Sequence, residues 1–206
     1  MVRAIIIEHL EPYVSPWLMS EYRYVSKLFK EVLIITNVRR EDDRDMLKGL
    51  GLVLSDTAVK VVRELKAGNV IVLDPQAEKE LKRAELVRAD AVIIGGIMGD
   101  HPPRGRTREF LTSKFREELS RNLGRKQLTI AGTAYVLWRM LRGAELRDIA
   151  IKEGLTIEVN LGRAVLTIEL PYAFPYDRGK PVIPEDYIDV VARRTVYYEG
   201  AELYKY

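Results

Sequence analysis

The chain has 206 residues, 47% of them hydrophobic and 31% charged, with a formal net charge of +3, which is the composition of a globular protein and excludes a disordered one. It contains no cysteine and two histidines, which excludes disulfides and cysteine-based metal sites, and we predict no metal site. No apolar run is long enough to cross a bilayer and the first is too short for a signal peptide, so we expect a cytoplasmic protein, with the mixed surface charge typical of thermophiles.

Short apolar runs punctuate the first two thirds of the chain. They are rich in valine and isoleucine and do not alternate with polar residues, which is typical of strands buried on both faces of a parallel sheet. The predicted strands comprise residues 4–7, 31–38, 70–75, 91–96 and 128–132.

Stretches with helical periodicity lie between these runs. The first begins at Pro16 after Ser15, a pair typical of a helix start, and Gly124 and Gly143 are placed to end two of the later helices. The later helices are predicted over residues 55–65, 76–88, 107–124 and 133–143. The alternation predicts an α/β fold with a mostly parallel sheet, helices on both of its faces, and ligands beyond the carboxyl ends of the strands.

The pattern changes after about residue 150. Residues 155–172 alternate apolar and polar side chains with period two, which predicts an antiparallel β-hairpin near residues 155–170. One more helix is predicted over residues 183–194, with Pro184 near its start. No repeat or low-complexity linker divides the sequence, so we expect a single domain over residues 1–206.

The least regular segment is GGIMGDHPPRGRT, from Gly95 to Thr107, directly after a predicted strand. Its glycine spacing, and its prolines where a helix would have to begin, do not fit a dinucleotide-binding loop. The glycines allow positive φ angles and close approach of the backbone to a ligand, and the prolines stiffen the path that follows. We expect a firm loop facing a cavity for a flat, mostly uncharged ligand such as an adenosine moiety; the alternative is a tight crossing of two chain segments.

Several motifs follow one another along most of the chain: IIEH with SPWLMSEY, VIVLDP, GGIMGDHPPRGRT, LGRKQLT and KPVIPEDYIDVV. In this order they resemble the SPOUT-class methyltransferase family whose known fungal member methylates an arginine of a small-subunit ribosomal protein. The specific part of the match is GGIMGDHPPRGRT, because it is long and irregular. The resemblance implies an S-adenosylmethionine-dependent methyltransferase with a deep trefoil knot in the C-terminal half of the fold.

The resemblance also implies that three loops enclose S-adenosylmethionine in a bent form. They are residues 73–75, 95–107 and 123–129, with the third threaded under the second. The cofactor-binding residues implied are Leu73, Asp74, Pro75, Gly95, Gly96, Ile97, Gly99, Arg104, Leu123, Gln127, Leu128 and Thr129. Asp74 would hold a ribose or an amine, or it would simply end its strand in a turn.

Carboxylates are the natural partners of an arginine acceptor. Its guanidinium is charged at every working pH, so a carboxylate must bind it and help it to lose a proton. The candidate catalytic residues are Glu8, Glu21, Asp100 and His101. Glu21 shares a helix face with Trp17, and an indole beside a carboxylate suits a cationic substrate. The alternatives are a surface ion pair for Glu21, core packing for Trp17 and a structural His101.

Arginines follow the prolines of the irregular segment. We expect Arg104 to contact the donor or to hold local structure, and Arg106 to contact the substrate, where a phosphate partner would favour RNA. For Arg108, as for its two neighbours, the alternatives are a phosphate, the carboxylate of the donor's methionine part, or an acidic partner such as Glu109. The candidate functions are methylation of a ribosomal-protein arginine, methylation of RNA by the same fold, and non-catalytic binding of S-adenosylmethionine by a ribosome-associated module. The acidic candidates favour the first.

Overall fold

The computed structural model describes residues 2–99, 102, 104–160, 162 and 165–192. Within these residues one sheet has the strand order β3-β2-β1-β5-β4-β6, and its neighbouring strands are all parallel. Its strands are β1 (Ala4–His9), β2 (Leu33–Thr36), β3 (Leu52–Val53), β4 (Val70–Leu73), β5 (Ala91–Gly96) and β6 (Ser120–Arg121). The predicted parallel sheet is confirmed.

Helices cover both faces of this sheet, as predicted. The side chains of β1 alternate between two cores: Ile5 and Ile7 belong to one, and Ala4 and Ile6 to the other. Buried side chains of α1 (Pro16–Phe29), α2 (Glu41–Leu47), α4 (Arg83–Leu86) and α6 (Ile130–Leu141) complete the first core. The second core is completed by α3 (Ala58–Glu64) and by the chain that follows α5 (Arg106–Phe110).

The start of α1 is determined by its sequence. The Ser15 hydroxyl accepts a hydrogen bond from the Leu18 N–H at 3.2 Å, and Pro16 occupies the first turn. The predicted apolar stripe, which includes Tyr22 and Phe29, is buried against the sheet. This anchoring sets the direction of every other side chain on α1, including Glu21.

A second sheet holds the predicted hairpin. β7 (Ile151–Asn160) and β8 (Val165–Asp177) pair antiparallel with Ile157 opposite Ile168, and β9 (Lys180–Pro181) pairs with the end of β8. Helical turns over residues 187–192 pack Tyr187 and Val191 against its apolar face. The hairpin is therefore confirmed, although it is longer than predicted, and the predicted helix begins later; its end beyond residue 192 lies outside the described residues.

The strand predicted over residues 128–132 is wrong. Leu128 makes one isolated bridge to Ala173, Thr129 caps a helix, and α6 begins at Ile130. The first two turns of α6 are buried on all sides. A short apolar run reads the same in a buried helix and in a buried strand, and here the helix is the observed structure.

Two predicted helices are mostly irregular. Of residues 76–88 only α4 is helical, because Lys79 and Leu81 bond through their backbones to Asn122 instead. Of residues 107–124 only α5 and short 3₁₀ turns are helical. The strand β6 and Gly124, which has a φ of 91° in a loop, occupy the expected end of the second helix. The two-residue strands β3 and β6 and the helix α2 were not predicted. No helix among the described residues is long and apolar enough to cross a membrane.

Candidate active site

A cavity opens at the carboxyl ends of β4 and β5, bounded by the starts of α1 and α6. The space between its walls, including the solvent at its open mouth, is about 820 Å³. Its walls come from the three loops expected in the sequence and from β8. The predicted cofactor-binding residues that line it are Leu73, Asp74, Pro75, Gly95, Ile97, Gly99, Leu123, Gln127, Leu128 and Thr129.

The first wall is the turn after β4. Asp74 is buried; its Oδ1 accepts a hydrogen bond from the Gln76 N–H at 2.8 Å, and Arg108 Nε lies 3.4 Å from its Oδ2. The turn that the sequence offered as the alternative is therefore present. Arg108 also donates to the Gln76 carbonyl at 2.9 Å. Its role is to tie α5 to the first wall.

The second wall is the backbone that follows β5. None of Gly95, Gly96 and Gly99 has a positive φ, so that part of the prediction is wrong. An added Cβ would collide with the Tyr22 hydroxyl at Gly96, and with Gln127 at Gly99. Gly96 permits close approach to the backbone of Glu8, in keeping with the alternative, whereas Gly99 leaves room for the side chains of Gln127 and Tyr172. Gly96 is buried beneath the wall and does not line the cavity.

The base of the second wall is held by an ion pair. Arg106 Nη2 lies 3.1 Å from Glu11 Oε1, and the same carboxylate oxygen accepts a hydrogen bond from the Met98 N–H at 2.9 Å. Arg106 Nη1 donates to the Met98 carbonyl at 3.2 Å. Arg106, predicted to contact the substrate, thus braces the loop and does not line the cavity.

The third wall is the segment between β6 and α6. The Leu128 N–H donates to the Lys126 carbonyl at 3.0 Å, which makes a three-residue turn centred on Gln127. The Gln127 carbonyl accepts a hydrogen bond from the Ala173 N–H at 2.8 Å. The Thr129 hydroxyl caps α6 by accepting from Gly132 N at 3.0 Å. The wall is therefore fixed at both ends.

Glu21 lines the cavity and is 2% exposed. Its Oε2 accepts a hydrogen bond from the Ala131 N–H at 2.5 Å, in the first turn of α6. Burial raises the pKa of Glu21 to about 7, although hydrogen bonds from Ala131, Trp17 and Thr129 favour the ionised form. The carboxyl group can therefore gain or lose a proton near neutral pH. The alternative of a surface ion pair is wrong.

A cluster of aromatic rings lies beside Glu21. Trp17 contacts Tyr172 and Tyr187 edge to face, with centroid distances of 6.4 and 5.6 Å, and all three residues line the cavity. The Tyr172 hydroxyl donates to the Gly99 carbonyl at 2.8 Å, which joins β8 to the second wall. An aromatic wall beside a carboxylate suits a guanidinium.

The remaining predicted residues lie elsewhere. Glu8 is buried on the opposite face of the sheet from the cavity, where its Oε2 accepts hydrogen bonds from Thr36 Oγ1 at 2.6 Å and from Ala58 N at 2.7 Å. Arg104 is exposed and does not line the cavity. Asp100 and His101 lie outside the described residues. Among the described residues no group of three or more acidic, histidine or cysteine side chains is arranged to hold a metal ion.

Part of the lining was not among the predicted contact residues, although some of it lies within the predicted loops. Met98, Thr107, Arg121, Lys126, Tyr172 and Tyr187 also face the cavity. Lys126 stands directly beside the predicted Gln127 and already belongs to the motif LGRKQLT, although it was not singled out as a contact. Tyr172 and Tyr187 reach the cavity only because the second sheet packs beside α1, which no local pattern reveals.

The cavity fits the cofactor that the resemblance implies. Leu73, Ile97, Leu123 and Leu128 provide apolar walls for a flat base, and the open backbone at Gly95 leaves room, since an added Cβ there would come no closer than 3.6 Å to Thr107. Charged groups stand at separate places on the walls, which suits a ligand with an uncharged ring and a charged end.

Comparison of the sequence with known proteins identifies the family to which it is similar. Residues 4–198 match the family described as Protein arginine N-methyltransferase SFM1-like. Protein arginine N-methyltransferase SFM1 of Saccharomyces cerevisiae is 32% identical over 208 residues, which cover 91% of this chain and 93% of the yeast protein.

Solved structures show the same relationship. A crystal structure of the yeast arginine methyltransferase SFM1 complexed with SAM superposes with a TM-score of 0.80 and 29% identity, covering 95% of this chain and 92% of that one. A Trm10 structure from Thermococcus kodakaraensis has a TM-score of 0.55 at 18% identity and covers 70% of this chain and 95% of its own, so it shares the fold alone.

Proposed function

The chain belongs to the SFM1-like family of protein arginine N-methyltransferases, and we propose that it transfers a methyl group from S-adenosylmethionine to an arginine side chain of a protein. The observation that carries this proposal is Glu21, a buried carboxyl group that faces the cavity beside an aromatic wall. Such a group suits a cationic acceptor that must lose a proton.

The donor occupies the part of the cavity between the three loop walls. Apolar side chains such as Leu128 hold its adenine, and the backbone beside Gly95 together with Gln127 meets its polar edges. When bound, S-adenosylmethionine supplies a methyl group activated by a positively charged sulfur. The close packing at Gly96 and Gly99 holds the walls at fixed separation, which keeps donor and acceptor in line.

Glu21 acts on the acceptor. An incoming guanidinium stabilises the carboxylate and lowers its pKa from about 7, so the ionised form binds the acceptor. The Ala131 N–H and the Trp17 side chain hold this carboxylate in place. Its free acceptor positions then accept a hydrogen bond from the guanidinium. As the new N–C bond forms and the bond between the methyl group and the donor's sulfur breaks, with S-adenosylhomocysteine as the leaving group, the carboxylate takes the proton that arginine releases. We place this role on Glu21 and not on Glu8, which faces the other side of the sheet.

The trefoil knot is also part of the proposal. The third wall is paired through Arg121 and Asn122 to residues that follow β4, and Gln127 lies close under Gly99 of the second wall. The chain then continues into α6 on the other face of the sheet from α3. These contacts support a third loop threaded under the second. The hydrogen bond from Tyr172 to Gly99 supports our prediction that the two sheets form a single domain.

We propose a ribosomal protein as the acceptor, on the strength of the resemblance to the fungal enzyme. The cytoplasmic location stays a prediction. Binding of S-adenosylmethionine by calorimetry tests the donor, and separate incubation of ribosomal protein and ribosomal RNA with methyl-labelled donor tests the acceptor. Label in arginine of the protein fraction supports the proposal. Label in RNA alone would make the chain an RNA methyltransferase, and donor binding without transfer to either fraction would make it a binding module.

A further inference from the structure

Two cationic side chains stand among the described residues that line the cavity, Arg121 and Lys126. Arg121 is committed to the protein: its Nη2 lies 2.7 Å from Glu85 Oε1, and its Nη1 donates to the backbone carbonyls of Glu118 and Ser120 at 2.8 and 2.7 Å. A guanidinium held on so many sides cannot turn toward a ligand without losing these bonds.

Lys126 is held differently. It is half-buried, and its Nζ donates to the Ile151 carbonyl at 3.2 Å. Within the described part of the chain no carboxylate lies within ion-pair distance of this ammonium. An ammonium has three donors, so the contact with Ile151 leaves capacity for an anion from the cavity.

The backbone fixes the place of Lys126. The turn centred on Gln127 and the bond from Ala173 to the Gln127 carbonyl hold the third wall against β8. Arg106 and Arg108, which stand near the second wall, are bound to Glu11 and Asp74. Among the cations described near the cavity, Lys126 is thus the one positioned on the wall and short of an anionic partner.

We propose that the Lys126 ammonium binds the α-carboxylate of the donor's methionine part, so that the cavity selects donors that retain this carboxylate. The inference rests on the proposed function, because it assumes an S-adenosyl donor in this cavity. A carboxylate that binds a half-buried ammonium compensates for the hydrogen bonds with water that the ammonium lost on burial. Charge-assisted hydrogen bonds of this kind are also stronger than those between neutral groups. The donor-contacting cation is then Lys126, in place of the predicted Arg104.

The experiment compares ligands that differ in this group. S-adenosylhomocysteine carries the α-carboxylate, whereas 5′-methylthioadenosine shares the adenosine and the sulfur but lacks the amino acid. Dissociation constants are measured by calorimetry for the wild type, Lys126→Met, Lys126→Arg and a control, Lys114→Met, which removes an exposed charge away from the cavity.

In Lys126→Met we expect the affinity for S-adenosylhomocysteine to fall about tenfold or more, while the affinity for 5′-methylthioadenosine stays within about twofold. Lys126→Arg restores part of the loss, and Lys114→Met changes neither. An equal loss for both ligands, or no loss for either, would overturn the inference while leaving the proposed function intact. Failure of the wild type to bind either ligand would instead overturn the proposed function.

Discussion

Glu21 and Ala131 are 110 residues apart in sequence, yet the carboxylate of one accepts a 2.5 Å hydrogen bond from the backbone N–H of the other. The bond joins α1 to the first turn of α6, where the helix dipole favours a negative charge. The bond fixes the orientation of the carboxylate. Because burial raises the pKa of Glu21 to about 7, the group is about half protonated at neutral pH.

The first prediction concerns stability as a function of pH. Since the pKa of Glu21 is about 7 in the folded chain and near 4.5 when unfolded, the folded state holds the proton more tightly between these values. This contribution to stability is complete below the unfolded pKa and is lost as the pH rises through 7. Relative to Glu21→Gln, the wild type should lose about 3 kcal/mol of unfolding free energy across the window.

Urea unfolding of both proteins at several pH values between 4.5 and 8 measures this difference. A glutamine cannot titrate but keeps an oxygen for the Ala131 N–H, so the variant is a matched reference. Parallel stability curves for the two proteins would show that Glu21 titrates as an ordinary carboxyl group, and the acid–base role would lose its support.

The second prediction concerns Gly95 and Gly96, the two glycines that end β5. In Gly96→Ala the new methyl group meets the Tyr22 hydroxyl and the Glu8 carbonyl, and Tyr22 is fully buried with its hydroxyl 3.0 Å from His9 Nδ1. We expect a loss of about 1–3 kcal/mol, as for other overpacked cores.

Gly95→Ala is the matched control, because its methyl group would make ordinary contacts beginning at 3.6 Å from Thr107. Urea unfolding should show a change in Gly95→Ala that is small beside that of Gly96→Ala. Equal losses in the two variants would mean that the close contacts beneath Gly96 do not account for the loss of stability.

The third prediction uses the two tryptophans of the chain, Trp17 and Trp138. Trp17 lines the cavity, whereas Trp138 lies outside its lining on α6 and stacks with Arg142 at 4.8 Å. Trp17→Leu should raise the KM for an arginine-containing acceptor roughly 5- to 30-fold through the lost cation–π contact, and should leave the donor dissociation constant within about twofold.

Trp138→Leu should alter neither constant. Steady-state kinetics with varied acceptor, together with calorimetry for the donor, separates the two effects. If the two replacements change the acceptor KM equally, the aromatic wall does not contact the acceptor.

The sequence predicts which segments form the walls of the cavity better than it predicts why particular residues are needed in them. The Val- and Ile-rich runs determine β1, β4 and β5, and parallel strands bring their carboxyl ends to one edge, so the residues after them converge. The motif that begins at Gly95 was correctly placed on this edge, but Gly96 and Gly99 serve close packing without a positive φ, whereas Gly105 in the same motif does have a positive φ of 71°. The local sequence shows where glycine is needed, but only the packing around each glycine shows the reason.

Other features depend on contacts that are distant in sequence. Glu8 and Glu21 are both acidic residues near the carboxyl edge, and only the pleat of β1 and the rotation of α1 turn the first away from the cavity and the second into it. Residues 128–132 were assigned to a strand because a fully buried helix has no polar face to reveal its period. Tyr172 enters the site from a separate sheet.

The central claim is that Glu21 acts on the acceptor and not on the donor. The most direct measurement compares the wild type and Glu21→Gln side by side, with S-adenosylhomocysteine binding by calorimetry and methyl transfer to a ribosomal protein by mass spectrometry of its arginines. The account predicts donor binding within about twofold and a transfer rate at least about a hundredfold lower in the variant. Transfer at the wild-type rate, or a loss of donor binding that accounts for the loss of transfer, would contradict it.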